Sequence, residues 1–220
     1  MTNNKQIAID GPASAGKSTV AKILAKKMNY IYCDTGAMYR ALTLAALRQN
    51  ADISSEIELT KILADIEISF KQMADGQHVF LNGEDVTQEI RLPEVTNSVS
   101  EVSSFKKVRA ELVSRQRKFS DSDSIVMDGR DIGTVVLPEA DLKIFLVASV
   151  EERAQRRYDE NTKNGINTPF DVLKKEIEDR DTYDSTRKES PLVQAEDAIL
   201  VDTTGLNIDQ VVQKIEDLMN

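Results

Sequence analysis

GPASAGKST, residues Gly11 to Thr19, stands between a short apolar run, Gln6 to Asp10, and a segment in which Val20, Ile23, Leu24 and Met28 recur at helical spacing. Gly11, then Pro12, Ala13, Ser14 and Ala15, then Gly16, Lys17 and Ser18 match the pattern G-x-x-x-x-G-K-[ST], with Thr19 following. A strand before this pattern and an amphipathic helix after it are the context in which it forms a phosphate-binding loop. The glycines let backbone N–H groups turn inward around phosphate oxygens, and the helix N-terminus adds a favourable dipole. Residues 11 to 19 are therefore expected to bind nucleotide phosphates, those of ATP if the chain is a kinase. Lys17 would bridge the β- and γ-phosphates, and the Ser18 hydroxyl would ligate Mg²⁺.

Outward from this loop, four further apolar segments have the length of buried strands: Tyr30 to Cys33, Ser124 to Asp128, Leu142 to Val147, and Ala198 to Asp202. Helical patterns separate them, the last marked by Ile208, Val211, Val212 and Ile215. Strands alternating with helices predict an α/β fold, a doubly wound five-stranded parallel sheet with helices on both faces and ligands at the strands' carboxyl ends. Two stretches break the rhythm. From about Ile66 to Arg91, DIEISFKQM and HVFLNGEDV flank Ala74, Asp75 and Gly76, an Asp-Gly hairpin signal. From about Arg153 to Arg187 a highly charged region is interrupted at Gly165 to Pro169, which predicts two helices joined by a mobile loop. Glu94 to Phe119 reads as helical, bent near Ser103 and Ser104.

The 220 residues suit one α/β domain with insertions better than two independent domains. A formal charge of −9 argues against broad binding to nucleic acid or membrane surfaces, both of which need a basic face. No apolar run approaches the length that spans a membrane, and MTNNKQIAID enters an apparent strand without the features of a secretory signal, so a cytoplasmic location is expected. A single cysteine, Cys33, excludes an intramolecular disulfide and reads as a small buried residue. The only histidine, His78, falls in the hairpin and reads as a packing or surface residue.

The loop alone leaves kinase, GTPase switch, motor ATPase and regulatory nucleotide-binding module open. A GTPase would carry Asn-Lys-x-Asp, which NTKNG at Asn161 does not match, and the D-x-x-G string Asp202 to Gly205 lies too late in the chain for a switch. Asp128 closes its strand, where it either helps hold the metal through water or caps the next turn. In an acidic chain, cations for an anionic ligand must be concentrated locally. Arg153, Arg156 and Arg157 share one helix face, and Arg180, Asp184 and Arg187 another. Arg130 and Asp131, in MDGRDIGTVV, follow the strand that ends at Asp128.

GPASAGKST, DTGAMYR (Asp34 to Arg40), MDGRDIGTVV (Met127 to Val136) and EDRDTYDSTRKESPL occur in the order and approximate spacing of the bacterial cytidylate kinase family, among the nucleoside monophosphate kinases, and the chain resembles that family over essentially its whole length. The family often has Ser where this chain has Thr35, a change that preserves the hydroxyl. The resemblance implies transfer of the ATP γ-phosphoryl group, with Mg²⁺, to CMP or dCMP. It implies a core of about 1–35, 120–152 and 188–220, a monophosphate-binding region of about 36–119 that includes the hairpin, and a helical lid of about 153–187. By the same resemblance Thr35, Arg40 and Arg130 would hold the acceptor phosphate. Ser100, Arg109 and Asp131 would read cytosine, Arg180 and Asp184 would meet the sugar, and Arg187 would complete the site. Lys17, Arg130, Arg157 and Arg187 are the expected catalytic cations, with Arg153 joining Arg157 on the lid face. Partners would be small nucleotides only, and the protein a monomer. The best rival is a kinase of a small-molecule hydroxyl in which Asp34 or Asp131 serves as base.

Overall fold

The structure is a computed structural model and describes residues 4–74, 76–121 and 123–219. In chain order its elements are β1 (Gln6–Asp10), α1 (Lys17–Met28), β2 (Ile31–Asp34), α2 (Thr35–Arg48), α3 (Glu56–Asp65), β3 (Ile68–Met73), β4 (Gly76–Leu81), β5 (Glu84–Asp85), a 3₁₀ turn (Glu89–Arg91), α4 (Pro93–Val102), α5 (Lys106–Phe119), β6 (Ile125–Gly129), a π-helical turn (Ile132–Val136), β7 (Leu142–Val147), α6 (Val150–Lys163), α7 (Phe170–Thr186), β8 (Ile199–Asp202) and α8 (Ile208–Asp217). They fall into two compact units, Met1–Cys33 with Arg117–Asn220, and Asp34–Gln116.

The first unit is built on a five-stranded sheet of order β2-β6-β1-β7-β8. β1 runs parallel to β6 and β7, and β7 parallel to β8. β1 and β6 are buried almost throughout, which explains their unbroken apolar composition. α1 and α8 set Val20, Leu24, Val212 and Ile215 against Ile9 and Ile144 of the sheet. An Asn207–Gln210 capping box fixes the start of α8.

The second unit is organised around α2, ten of whose residues are buried. Asp34 caps it by accepting the Ala37 amide at 2.8 Å. β3, β4 and β5 form a separate antiparallel sheet with Met73 opposite Gly76. Asp75, the first residue of the expected Asp-Gly turn, lies outside the described residues. HVFLNGEDV is not the single β segment expected. Asn82 and Gly83 both adopt positive φ, 51° and 82°, and split it into a second hairpin. The helical stretch after Glu94 breaks where the sequence placed a bend, between Val102 and Lys106.

Candidate functional site

Gly11 closes the first strand with φ 147°, and a Cβ there would lie 2.0 Å from the carbonyl oxygen of Leu146, so the loop can leave the sheet only through glycine. Gly16, at φ 94°, then serves as the N-cap of α1. It offers no side-chain acceptor, and the first turn of α1 holds no acidic residue. The amides at this helix start and its dipole thus remain available to an anion. Lys17 is buried and donates to the Pro12 carbonyl at 2.6 Å. Burial, then the positive charge of Arg130, push its ammonium well down from the usual lysine value, while Asp128 and Asp10 oppose them.

Ser18 donates to Asp128 Oδ2 at 2.7 Å, and Tyr32 on β2 donates to Oδ1 at 2.8 Å. A hydroxyl beside a buried carboxylate is a hard oxygen pair of the kind that Mg²⁺ takes up with phosphate oxygens and water. Among the described residues no group of three His, Cys, Asp or Glu side chains is placed to hold a metal, so most of such an ion's ligands would come from nucleotide and water.

The three arginines of α6 all turn toward the phosphate loop. Arg153 donates to the Ala13 carbonyl at 3.2 Å, Arg156 to the Ala15 carbonyl at 3.2 Å, and Arg157 to the Ser14 hydroxyl at 3.2 Å. They differ in freedom. The Arg153 side chain, expected on the lid face, is only 4% exposed and is locked by Ala148 and by Asp181 at 2.6 Å. Arg156 is tied to Thr203 at the end of β8, whereas Arg157 is 29% exposed.

A second cluster centres on Asp184, whose side chain is 3% exposed. Arg130 reaches it at 3.0 Å, and Arg180 and Arg187 both at 3.8 Å. Burial alone would raise its carboxyl, but Arg130, Arg180 and Arg187 together hold it below the usual aspartate value. Asp131, also buried, follows Arg130 and forms the N-cap position of the π-helical turn. Of the expected acceptor-site residues, the first unit thus gathers Arg130, Asp131, Arg180, Asp184 and Arg187.

The second unit holds the rest. Thr35 is buried at the first position of α2, and Arg40 one turn on pairs with Asp34 at 2.8 Å. The Nε of Arg40 has no hydrogen-bond acceptor among the described residues. Arg109, 5% exposed, donates to the Ser103 carbonyl at 2.9 Å and lies 5.4 Å from the Tyr39 ring centre, which brings it beside α2. Ser100 is half-buried near the end of α4. Burial pushes the Asp34 carboxyl up, but Arg40 and Arg91 outweigh it and hold the group below its usual value. An acid so held is a poor general base.

A family model described as cytidylate kinase matches residues 7–220. The chain belongs to the cytidylate kinase family. It is 60% identical over 213 residues to the cytidylate kinase of Enterococcus faecalis, covering 97% of this chain and 94% of that one. It is also 60% identical over 216 residues to that of Leuconostoc mesenteroides, covering 98% and 96%. An uncharacterized protein from Eubacterium ventriosum shares the fold, with a TM-score of 0.55 at 14% identity over 98% of both chains.

Three residues around the site, Tyr32, Arg91 and Asp10, carry little signal in the sequence. Tyr32 looks like one more apolar strand residue, and Arg91 is isolated in a turn. Asp10 carries one weak signal, an acid closing an otherwise apolar strand. Its partners, Ile132 and Gly133, lie more than 120 residues away in the chain.

Proposed function

We propose that this protein transfers the γ-phosphoryl group of ATP to CMP and dCMP, giving ADP with CDP or dCDP. Membership of the cytidylate kinase family over residues 7–220 carries this reading. The phosphate loop binds the donor, and Ser18, with Asp128 behind it, is the place for Mg²⁺. When bound, Mg²⁺ would neutralise charge on the β- and γ-phosphate oxygens.

The acceptor phosphate is already ionised, so the reaction needs no strong base. The engaged, acidified Asp34 fits this better than the hydroxyl-kinase alternative. The obstacle is repulsion between anions: one unit-charge pair at 4 Å costs about 4 kcal/mol at an effective dielectric near 20. Lys17, Arg130, Arg157 and Arg187 offset that repulsion while the acceptor lines up with the leaving ADP. Thr35, Arg40 and Arg130 take the acceptor phosphate. The unused Nε of Arg40 supports this, since a half-buried guanidinium with a free donor suits an oxyanion. Ser100, Arg109 and Asp131 read the base, and Arg180 and Asp184 meet the sugar, with Arg187 beside them. Cytosine donates from N4 and accepts at N3 and O2, so a carboxylate and a guanidinium are its complement. Residues of about 153–187, where α6 and α7 meet at the Gly165 break, act as the lid that excludes water.

The test is ADP release measured over a panel of nucleoside monophosphates with ATP and Mg²⁺. CMP and dCMP should drive release far above the acceptor-free rate, with UMP weaker. ATP binding without acceptor-dependent ADP release would indicate a regulatory module instead.

A further inference from the structure

We propose that Asp10 is a positioning residue for phosphoryl transfer, holding the turn that carries Arg130 and Asp131 in register with the phosphate loop. The inference rests on the reading above, in which Arg130 and Asp131 meet the acceptor. Asp10 ends β1 and directly precedes Gly11. Its two carboxylate oxygens are used separately: Oδ1 accepts the Ile132 amide and Oδ2 the Gly133 amide, each at 2.8 Å. Those amides open the π-helical turn Ile132–Val136, immediately after Arg130 and Asp131.

A π-helical turn is rare, and its first amides have no acceptor within the turn. Asp10 supplies two from outside, one oxygen to each amide. At the other end, Arg117 donates to the carbonyls of Val136 at 3.0 Å and Val135 at 2.6 Å. An anion at the amide end and a cation at the carbonyl end match the polarity of the turn. Gly133 makes room, since a Cβ there would lie 3.5 Å from Asp10 Oδ2 and 3.1 Å from Lys143 Cδ.

Only a carboxylate can fill this place. An amide side chain offers one acceptor oxygen and would set its own N–H groups against the second amide. The carboxyl is 5% exposed, and burial, with Asp131 adding to it, raises it to about 6 against the pull of the two amides and Lys17. The same residue is thus the last of the strand that launches the donor loop and the anchor of the turn that follows Arg130 and Asp131. A small misplacement of a catalytic group lowers rate out of proportion to the lost contact.

The test uses the full chain with Asp10→Asn, beside Arg117→Gln and Arg130→Met. Asp10→Asn should raise the CMP KM and lower kcat, each by about tenfold, as for loss of a buried charged hydrogen bond. ATP affinity, measured by calorimetry without acceptor, should stay within about twofold. Arg117→Gln, which frees the other end of the turn, should show the same split at about threefold. It also keeps the inference testable if Asp10→Asn does not fold. A purely structural role would lower the melting temperature and the active fraction while leaving both KM values at the parent's. That result, or equal weakening of ATP and CMP, overturns the inference. If Arg130→Met leaves the CMP KM unmoved, the acceptor reading fails and takes the inference with it. If Arg130→Met raises the CMP KM and neither other variant does, the inference alone fails.

Discussion

The loop from Gly11 to Thr19 would make an anion site from backbone amides and one ammonium, whereas the cluster at Asp184 draws Arg130, Arg180 and Arg187 around one buried carboxylate. The first is fixed by the fold, because Gly11 has no room for a side chain and Gly16 adopts a φ that only glycine takes easily. The second is held by charge, and its members are long side chains that can exchange one anion for another. Anion sites of the two kinds fail differently when a residue is removed. Loss of the ammonium should remove catalysis and spare the fold, and loss of the carboxylate should loosen both.

The largest effect belongs to Lys17→Ala, expected to lower kcat by about 10² to 10³, as when a group that stabilises developing charge is lost. Its melting temperature should stay within about 4 °C of the parent, since burial already disfavours the ammonium and about 1 kcal/mol corresponds to 2–4 °C at this size. Turnover of CMP near the parent rate would show that the backbone alone suffices.

Asp184→Asn should act on the fold as well as on catalysis, costing about 3 kcal/mol of stability by leaving three arginines without their shared anion. The pH dependence carries the sign. The folded-state value of Asp184 is depressed, so its contribution is complete above the usual aspartate value and lost as pH falls through the folded one. The gap in unfolding free energy between parent and variant should be widest near pH 7 and shrink toward pH 3. Asp10, raised to about 6, has the opposite sign: its buried charge is a cost above that pH, relieved as pH falls. Urea titrations of parent and Asp184→Asn at pH 7 and 3.5 would decide it. A gap independent of pH would mean that packing, not charge, holds the cluster.

The same contrast governs what the sequence discloses. The loop is legible because its geometry depends on glycines and a lysine at fixed local spacing, and the strands beside it because burial on both faces leaves continuous apolar runs. All five core strands come out within about a residue of their observed bounds. The arginines of α6 and α7 are legible as helix faces but not as contacts. Helical periodicity places Arg153 and Arg157 together, yet only the packing of α6 beside the loop and α7 buries one and leaves the other part exposed. Asn82-Gly83 follows the apolar Val79 to Leu81 so closely that its turn is masked by the β-like segment around it, although both residues adopt positive φ. The role of Asp10 is not legible beyond an acid at a strand end, because its partners are long-range backbone amides that leave no trace in composition or spacing.

The smallest effects concern Asp131 and Arg109, the side chains proposed to read the base. UMP presents an acceptor at position 4 and a proton on N3. The Asp131 carboxylate would then meet a lone pair, and the Arg109 guanidinium would lose its acceptor. Mispaired buried polar groups cost about 1–3 kcal/mol each, or roughly tenfold to a hundredfold per contact. Asp131→Ala should lower kcat/KM for CMP much more than for UMP and compress their ratio. Arg109→Met should act in the same direction, less strongly, because Arg109 is also engaged by the Ser103 carbonyl and the Tyr39 ring. Arg40→Met, aimed at the phosphate that both substrates share, should weaken the two about equally. The measurement is the pair of kcat/KM values in the three variants. A ratio that stayed at the parent's in Asp131→Ala and Arg109→Met would remove the base-reading roles while leaving the phosphate loop and the Asp184 cluster with theirs.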